Sequence, residues 1–566
     1  MNDHKASAAG GAPRRLTRRE LMGGGLRLAA GVAVTGAFGE VLAACSTATK
    51  PGRPLSHGVS NLTPKRGGTL RFGLAAEDSY WYDPVTARYD QTGIMYARTV
   101  YDPLATVGPD GQVYPYLAQS IDHNAGYTAW TITMRPGIEF HDGTPCDAAA
   151  VVANFKRVLD TNIAGNIAQF GIVGMVDKVA ATGPLSVEIS MSQPWVPFDY
   201  YLAGGIGGQV AWMAAPSMFK GAKEPTKPIG TGPFVFQEWV PGSHFTAVRN
   251  QRYWRRGMPY LDEITYVPVV SGRSIEQSLR AGSLDIIQST DVRAYTSFRN
   301  DPSYSFIDDV GPVVGEPDVD CILLNTAKAP FNDVRLRRAL AYATDQNRYI
   351  KEISSGITTP AKGPFFAGSP YYGPTGYPSY DPAQARSLVA EVRRSTGKPI
   401  SVEFSDVAGS GTNVDIVSLF KSMWGDVGIT VVPNFVDQST LINNVIVGKF
   451  DVADWRQFGA FDPDMNYIFW DPGSPLTFSR LDDPVLHADL ETGRTSADPT
   501  VRATAYKKIA ETFGSEVPYV WTDRALWSVT ARAPVMNFAN PMTPEGHAAL
   551  AMFGGVVWPT QIWLNS

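Results

Sequence analysis

A basic leader that closes on a small-residue site and a cysteine constrains this chain before any fold is read. Thr17-Arg18-Arg19-Glu20-Leu21-Met22 sets twin arginines ahead of an uncharged run, residues 28–39, and Leu42-Ala43-Ala44-Cys45 follows. Twin arginines in this setting mark the bacterial export route that carries folded proteins, and a small-residue site behind an apolar stretch belongs to a signal peptide. The body behind it is then a unit that folds in water. Cys45 reads as a lipidation site, its thiol taking a diacylglycerol and the processed chain beginning there. Residues 28–39 are too few to span a bilayer as a helix, and no later stretch spans either. Residues 1–45 are therefore expected to be leader, and the polar, Pro/Gly/Ser/Thr-rich stretch 46–65 a flexible tether.

The chain carries a formal net charge of −5, and its basic leader makes the remainder more acidic still. Nothing forms the basic stripe of a nucleic-acid binder, and an acidic body does not lie on anionic lipid. With 44% apolar residues in 566, two or three domains with their own cores are expected. Beyond Cys45 only Cys146 and Cys321 remain. An oxidising compartment would permit a disulfide between them, but one precedes a helix and the other opens an apolar strand, so both read as small buried hydrophobes.

From Gly68 onward short strands and helices alternate without a fixed repeat. Strands are expected at 69–74, 130–134, 186–191, 245–249 and 264–270. Asp147 can cap a helix whose apolar positions Val151, Val152, Phe155, Val158 and Leu159 share one face. Asp381-Pro382 and Asp498-Pro499 each put a capping carboxylate before a proline whose missing N–H costs nothing at the first helical position. A further helix through Ile416, Leu419, Phe420, Met423 and Trp424 stops at Gly428 and feeds a strand at 429–432. The pattern predicts an α/β protein of two lobes, the first carrying an extra strand-rich portion near 110–225.

Catalytic apparatus is missing from the sequence. There is no Gly-x-Ser-x-Gly elbow, no His-Glu-x-x-His helix and no phosphate loop; the histidines are scattered, with His141 in a turn before Asp142-Gly143. Asp462-Pro463-Asp464 supplies two carboxylates that could serve a hydrolase of peptides or glycans, which stands as the alternative reading. Aromatic residues are plentiful instead, 13 Trp, 24 Tyr and 26 Phe, and several fall in loops where rings can line a small-molecule site.

The run Trp130-Thr131-Ile132-Thr133-Met134-Arg135-Pro136-Gly137-Ile138-Glu139-Phe140-His141-Asp142-Gly143-Thr144-Pro145 resembles the signature of extracellular solute-binding proteins of the dipeptide/oligopeptide/nickel type (family 5), which serve ABC importers. Gly230-Thr231-Gly232-Pro233-Phe234, then Arg249 to Trp254 and Pro259-Tyr260-Leu261-Asp262, are similar to a second landmark of that family. Asn325-Thr326 and Pro330 through Leu340 look like a third, and Tyr380-Asp381-Pro382, Gly428-Ile429 and Asp451 to Asp462-Pro463 continue in order. The resemblance implies a two-lobed periplasmic-binding-protein fold (type II, three-domain): lobe I from 66–109, 225–319 and 530–566, an inserted domain at 110–224, and lobe II at 320–529. It further implies a non-enzymatic, cofactor-free, monomeric lipoprotein of the cell envelope. Such a protein would hold a small-molecule or peptide ligand between its lobes and hand it to ABC permease and ATPase subunits.

One departure bears on the ligand. Peptide-binding members carry an acid just before the Asp-Pro turn to hold the α-ammonium, whereas Trp455-Arg456-Gln457-Phe458-Gly459-Ala460-Phe461 has none, and only the flanking Asp454 or Asp462 could substitute. That gap favours a sugar, an opine-like compound, a modified peptide or a metal chelate. The expected ligand contacts are Trp455, Arg456, Gln457, Phe458, Phe461 and Asp462, with Tyr80 and Trp81 covering from the opposite lobe.

Overall fold

A computed structural model describes residues 62–77, 82–163, 168–172, 174–219, 227–309 and 314–565. The leader, Cys45, most of the tether, Tyr80 and Trp81 lie outside the described residues.

Among those residues the first lobe is built on a seven-stranded sheet in the order Tyr304–Asp308, Ser528–Arg532, Ile286–Ser289, Thr69–Leu74, Glu263–Pro268, His244–Arg249, Phe234–Val240. Thr69–Leu74 lies parallel between two neighbours; its Leu70, Phe72 and Leu74 are completely buried on one face, and Gly73 on the other lies under Ile275, Leu284 and Ile287, so the sheet is covered on both faces there. The strand expected to run to residue 270 stops at Pro268, which cannot donate to a ladder. Val270 is thereby left 57% exposed.

An antiparallel four-stranded sheet, Ala118–His123, Ala129–Met134, Ser186–Met191, Val176–Ala181, forms the inserted portion. Strict alternation points Trp130, Ile132 and Met134 inward, into one core with Val151, Phe155 and Val158 of the helix Ala148–Val158 that Asp147 caps. The signature turn is clasped to the second landmark: Nε2 of His141 lies 3.0 Å from the Gly232 carbonyl, and the His141 amide donates to the Gly230 carbonyl at 2.8 Å. Burial holds the His141 ring neutral, its pKa pushed down to about 4. Both glycines are needed for contact, because a Cβ at Gly230 would meet the Val100 carbonyl oxygen at 2.1 Å and one at Gly232 at 2.5 Å. These landmark residues hold the fold together.

The second lobe has a five-stranded sheet ordered Thr430–Val436, Ser401–Val407, Val452–Gln457, Val319–Leu324, Tyr519–Arg524. The two anticipated Asp-Pro helices form, Pro382–Thr396 and Pro499–Glu516, and each carboxylate accepts from two backbone amides of the first turn. Asp483 repeats the device on Pro484–Thr495, and each such cap contributes about 1 kcal/mol. Cys146 and Cys321 are both buried and free, as their contexts suggested.

Two features tie the parts together. Only Ala525, Leu526 and Trp527 separate the edge strand of the second lobe from Ser528–Arg532 of the first. Trp527 is pinned within that link, its amide donating to Asp309 at 2.7 Å and its indole to Asp318 at 2.8 Å. Elsewhere Asp464, fully buried, pairs with Arg494 at 2.9 Å and accepts the Trp195 indole N–H at 2.8 Å. The Tyr201 hydroxyl, with one proton to give, lies 2.5 Å from the Asp464 carbonyl and 3.1 Å from its carboxylate. Trp195 and Tyr201 belong to the inserted portion and Asp464 and Arg494 to the second lobe. No described helix is long and apolar enough to cross a membrane.

Candidate functional site: an interlobe cleft

The strand Val452–Gln457 leads straight into the site. It is the middle strand of its sheet, so it brings its residues beside those of both neighbours: Arg456 sits opposite Asp320 and Asp454 opposite Ile322 on one side. On the other, Ala453 pairs with Ser405 in parallel, which sets Asp406 next to Asp454 one position on. Asp523, on the edge strand beyond, extends the line. Acids from four adjacent strands therefore form one row, Asp406, Asp454, Asp320 and Asp523, with Arg456 among them.

A cavity of about 400 Å³ opens over this row. Its walls come from the first lobe (Arg88, Asp90, Gln91, Val270), the second (Asp320, Asp406, Leu441, Asp454, Trp455, Phe458, Phe469, Phe478) and Trp527 of the link between them. A chamber of about 640 Å³ adjoins it, sharing Asp320, Asp454 and Arg456 and adding Ser271, Ser354, Thr358 and Asp523. These volumes suit a small solute. The lobes touch at the rim, where Gln438 donates to Asp90 at 3.0 Å and Arg88 to Asn443.

The first chamber is aromatic. Phe469 stacks on Phe478 at 4.7 Å, and Trp455 meets Phe478 edge-on at 5.0 Å, leaving the Trp455 indole N–H buried without an acceptor. The row beneath is electrostatically loaded. Burial pushes the Asp406 carboxyl up to about 7; burial and the charge of Asp320 do the same to Asp523. Asp454 is raised well above the carboxylate range by burial and then by Asp406 and Asp320. Arg456 loses to burial but gains more from its acids and stays charged, its Nε 2.6 Å from Asp320.

Of the expected ligand contacts, Trp455, Arg456 and Phe458 line the cavity, and three others are placed elsewhere. Gln457 is turned into the core, 3% exposed, where its carbonyl accepts the Trp470 indole N–H at 2.8 Å. Phe461 packs on Phe553 at 4.4 Å against the inserted portion's core. Asp462 caps the 3-10 turn Pro463–Asn466 and holds Arg502 through both oxygens, at 2.7 and 2.9 Å. With Asp464 equally committed to Arg494, the carboxylate pair of the hydrolase alternative is consumed by structure. Asp320, Asp406, Phe469, Phe478 and Trp527 went unnoticed in the sequence. A signal was present for the acids, since an aspartate inside an apolar strand, as in Val319-Asp320-Cys321-Ile322, is costly unless it is used.

Two α/β lobes facing a solute-sized cleft are the build of a solute-binding protein. The profile described as Bacterial extracellular solute-binding proteins, family 5 Middle, matches residues 112–475, and the chain belongs to this family, whose members bind peptides or small ligands and work with ABC importers. It is 26% identical over 451 residues to the nickel-binding periplasmic protein of Escherichia coli K12, covering 75% of this chain and 84% of that one. It is likewise 26% identical over 460 residues to a glutathione-binding protein of Pectobacterium atrosepticum, with 78% and 85% covered. Among solved structures, AgaA of A. tumefaciens R10 in complex with agropinic acid aligns with TM-score 0.78 and 22% identity over 88% of this chain and 99% of that one. DppA of Helicobacter pylori in complex with the peptide STSA aligns with TM-score 0.77 and 19% identity over 89% and 99%. These alignments establish the two-lobed fold.

Proposed function

We propose that the protein is the substrate-binding lipoprotein of an ABC importer, capturing a peptide or other small solute between two closing lobes and delivering it to a membrane permease. The observation that carries this reading is the continuous cleft walled by both lobes, with Trp527 of the connecting link in its surface. The moving parts are the first lobe with its inserted domain, expected at 110–224, and the second lobe, expected at 320–529, with the strand Ser528–Arg532 counted in the first lobe and Val319 in the second. A ligand that touches both lobes favours the closed state by its differential affinity. Small-angle scattering of the purified protein, stripped of ligand and then saturated, is expected to show a smaller radius for the complex, with the solute recovered unaltered. An unchanged radius at saturation, or a cleaved solute, contradicts the proposal.

The tether places this receptor at the cell envelope through a lipid on Cys45. Cys45→Ala is expected to release the protein from membranes while leaving its melting curve and ligand binding intact. Persistence in the membrane fraction after a salt wash would rule the anchor out.

A further inference from the structure

The charges around the cleft do not balance. Arg456 is committed to Asp320 at 2.6 Å, with Asp318 3.9 Å from its other end. Asp318 also accepts the Trp527 indole N–H, and Asp523 accepts the hydroxyls of Ser354 at 2.8 Å and Thr358 at 2.5 Å. Asp318 and Asp320 are thereby served, and Asp523 is served at Oδ2 only, its Oδ1 being buried without a partner away from the aromatic chamber. Asp406 is in the same state inside that chamber: Val407 N–H and the Asn413 amide both donate to its Oδ1, at 2.6 and 2.8 Å, while its Oδ2 is buried with no partner in a residue 1% exposed that lines the aromatic cavity. Asp454, beside it, accepts no side-chain hydrogen bond among the described residues and borders both chambers.

When ionised, these two neighbouring carboxylates, Asp406 buried and Asp454 half-buried, cost free energy through lost hydration and mutual repulsion, and a cation between them offsets both costs. An anionic solute would add a further like charge to the row. The adjoining aromatic chamber supplies the other half of the description, because it rewards apolar area.

We propose that this receptor selects organic cations, with a protonated amine or guanidinium head seated between Asp406 and Asp454 and an apolar body lying against Trp455, Phe469 and Phe478. This substrate class rests on the receptor function proposed above. It also bears on the expectation drawn from the acid-free segment 455–461: Asp454 precedes that segment on its own strand, and Asp406 arrives from the neighbouring one.

The test uses matched probes that differ only in charge. The ligand-stripped protein is titrated calorimetrically with Phe-Leu amide (cation), N-acetyl-Phe-Leu amide (neutral) and N-acetyl-Phe-Leu (anion), and with 3-phenylpropylamine, 3-phenylpropanol and 3-phenylpropanoate. In both series the cation is expected to bind about a hundredfold tighter than its neutral counterpart, the scale of a buried charge left without its partner. Asp406→Asn and Asp454→Asn, which keep side-chain shape, are expected to abolish that preference while remaining folded by circular dichroism. Trp455→Ala is expected to weaken all binding probes alike, about a hundredfold. Equal or tighter binding of the neutral or anionic probe, or a cation preference that survives both Asn variants, overturns the cation assignment and leaves the receptor reading standing. Failure of every charge class to bind overturns both.

Discussion

Replacing Arg494 with leucine is expected to cost about 3–5 kcal/mol of stability, the usual penalty for removing one partner of a buried ion pair. Asp464 has no exposure and Arg494 is only 4% exposed, so solvent cannot take over the lost charge. The guanidinium also lies 3.5 Å over the Tyr467 ring, and that contact goes with it. Trp195 and Tyr201 would still donate to Asp464, but neutral donors do not compensate a buried anion fully. Adding Asp464→Asn to Arg494→Leu is expected to recover part of the loss by removing the stranded charge. Scanning calorimetry of both variants at neutral pH checks this, and a single variant that melts with the parent would show that the node carries no net stability.

Asp406→Asn is expected to act in the opposite direction, and only above acidic pH. An ordinary aspartate titrates near 3.8, whereas burial holds this one protonated up to about 7. Between those values the folded protein keeps a proton that the unfolded chain releases, so stability falls as pH rises through this window and the penalty is complete above it. Asparagine has no such proton to lose and can keep the oxygen to which Val407 and Asn413 donate. At pH 8 the ligand-free variant is expected to be more stable than the parent by about 2–4 kcal/mol, with the two converging near pH 4. Denaturant titrations at both pH values measure it. A variant less stable than the parent at pH 8 would mean that the carboxylate is stabilised by its surroundings.

How much of this could be read in advance follows from how far each signal reaches along the chain. Asp381-Pro382 and Asp498-Pro499 were legible because a cap and the turn it closes are neighbours in sequence. Trp130, Ile132 and Met134 were legible because a half-buried strand repeats every second residue. The ordered landmarks gave the lobes, although residues such as His141 and Gly230 turn out to clasp one part of the fold to another.

The site was legible only where it is local. Trp455, Arg456 and Phe458 follow one another, but Asp320, Asp406, Asp454 and Asp523 meet because sheet order places distant segments side by side. No window of sequence contains that row. Gln457 and Asp462 misled for a related reason. A polar side chain near a cleft has the same sequence whether it faces the solute or an internal donor, and Trp470 and Arg502, which claim them, are 13 and 40 residues away.

The link formed by Ala525, Leu526 and Trp527 has a counterpart, because the chain also passes from the first lobe to the second between the strands ending at Asp308 and beginning at Val319. Trp527 donates to Asp309 and to Asp318, one at each end of that other passage, so the two passages are fastened to each other through one residue. A solute held as proposed above, against an indole in the cleft wall, would then meet both passages through a single ring.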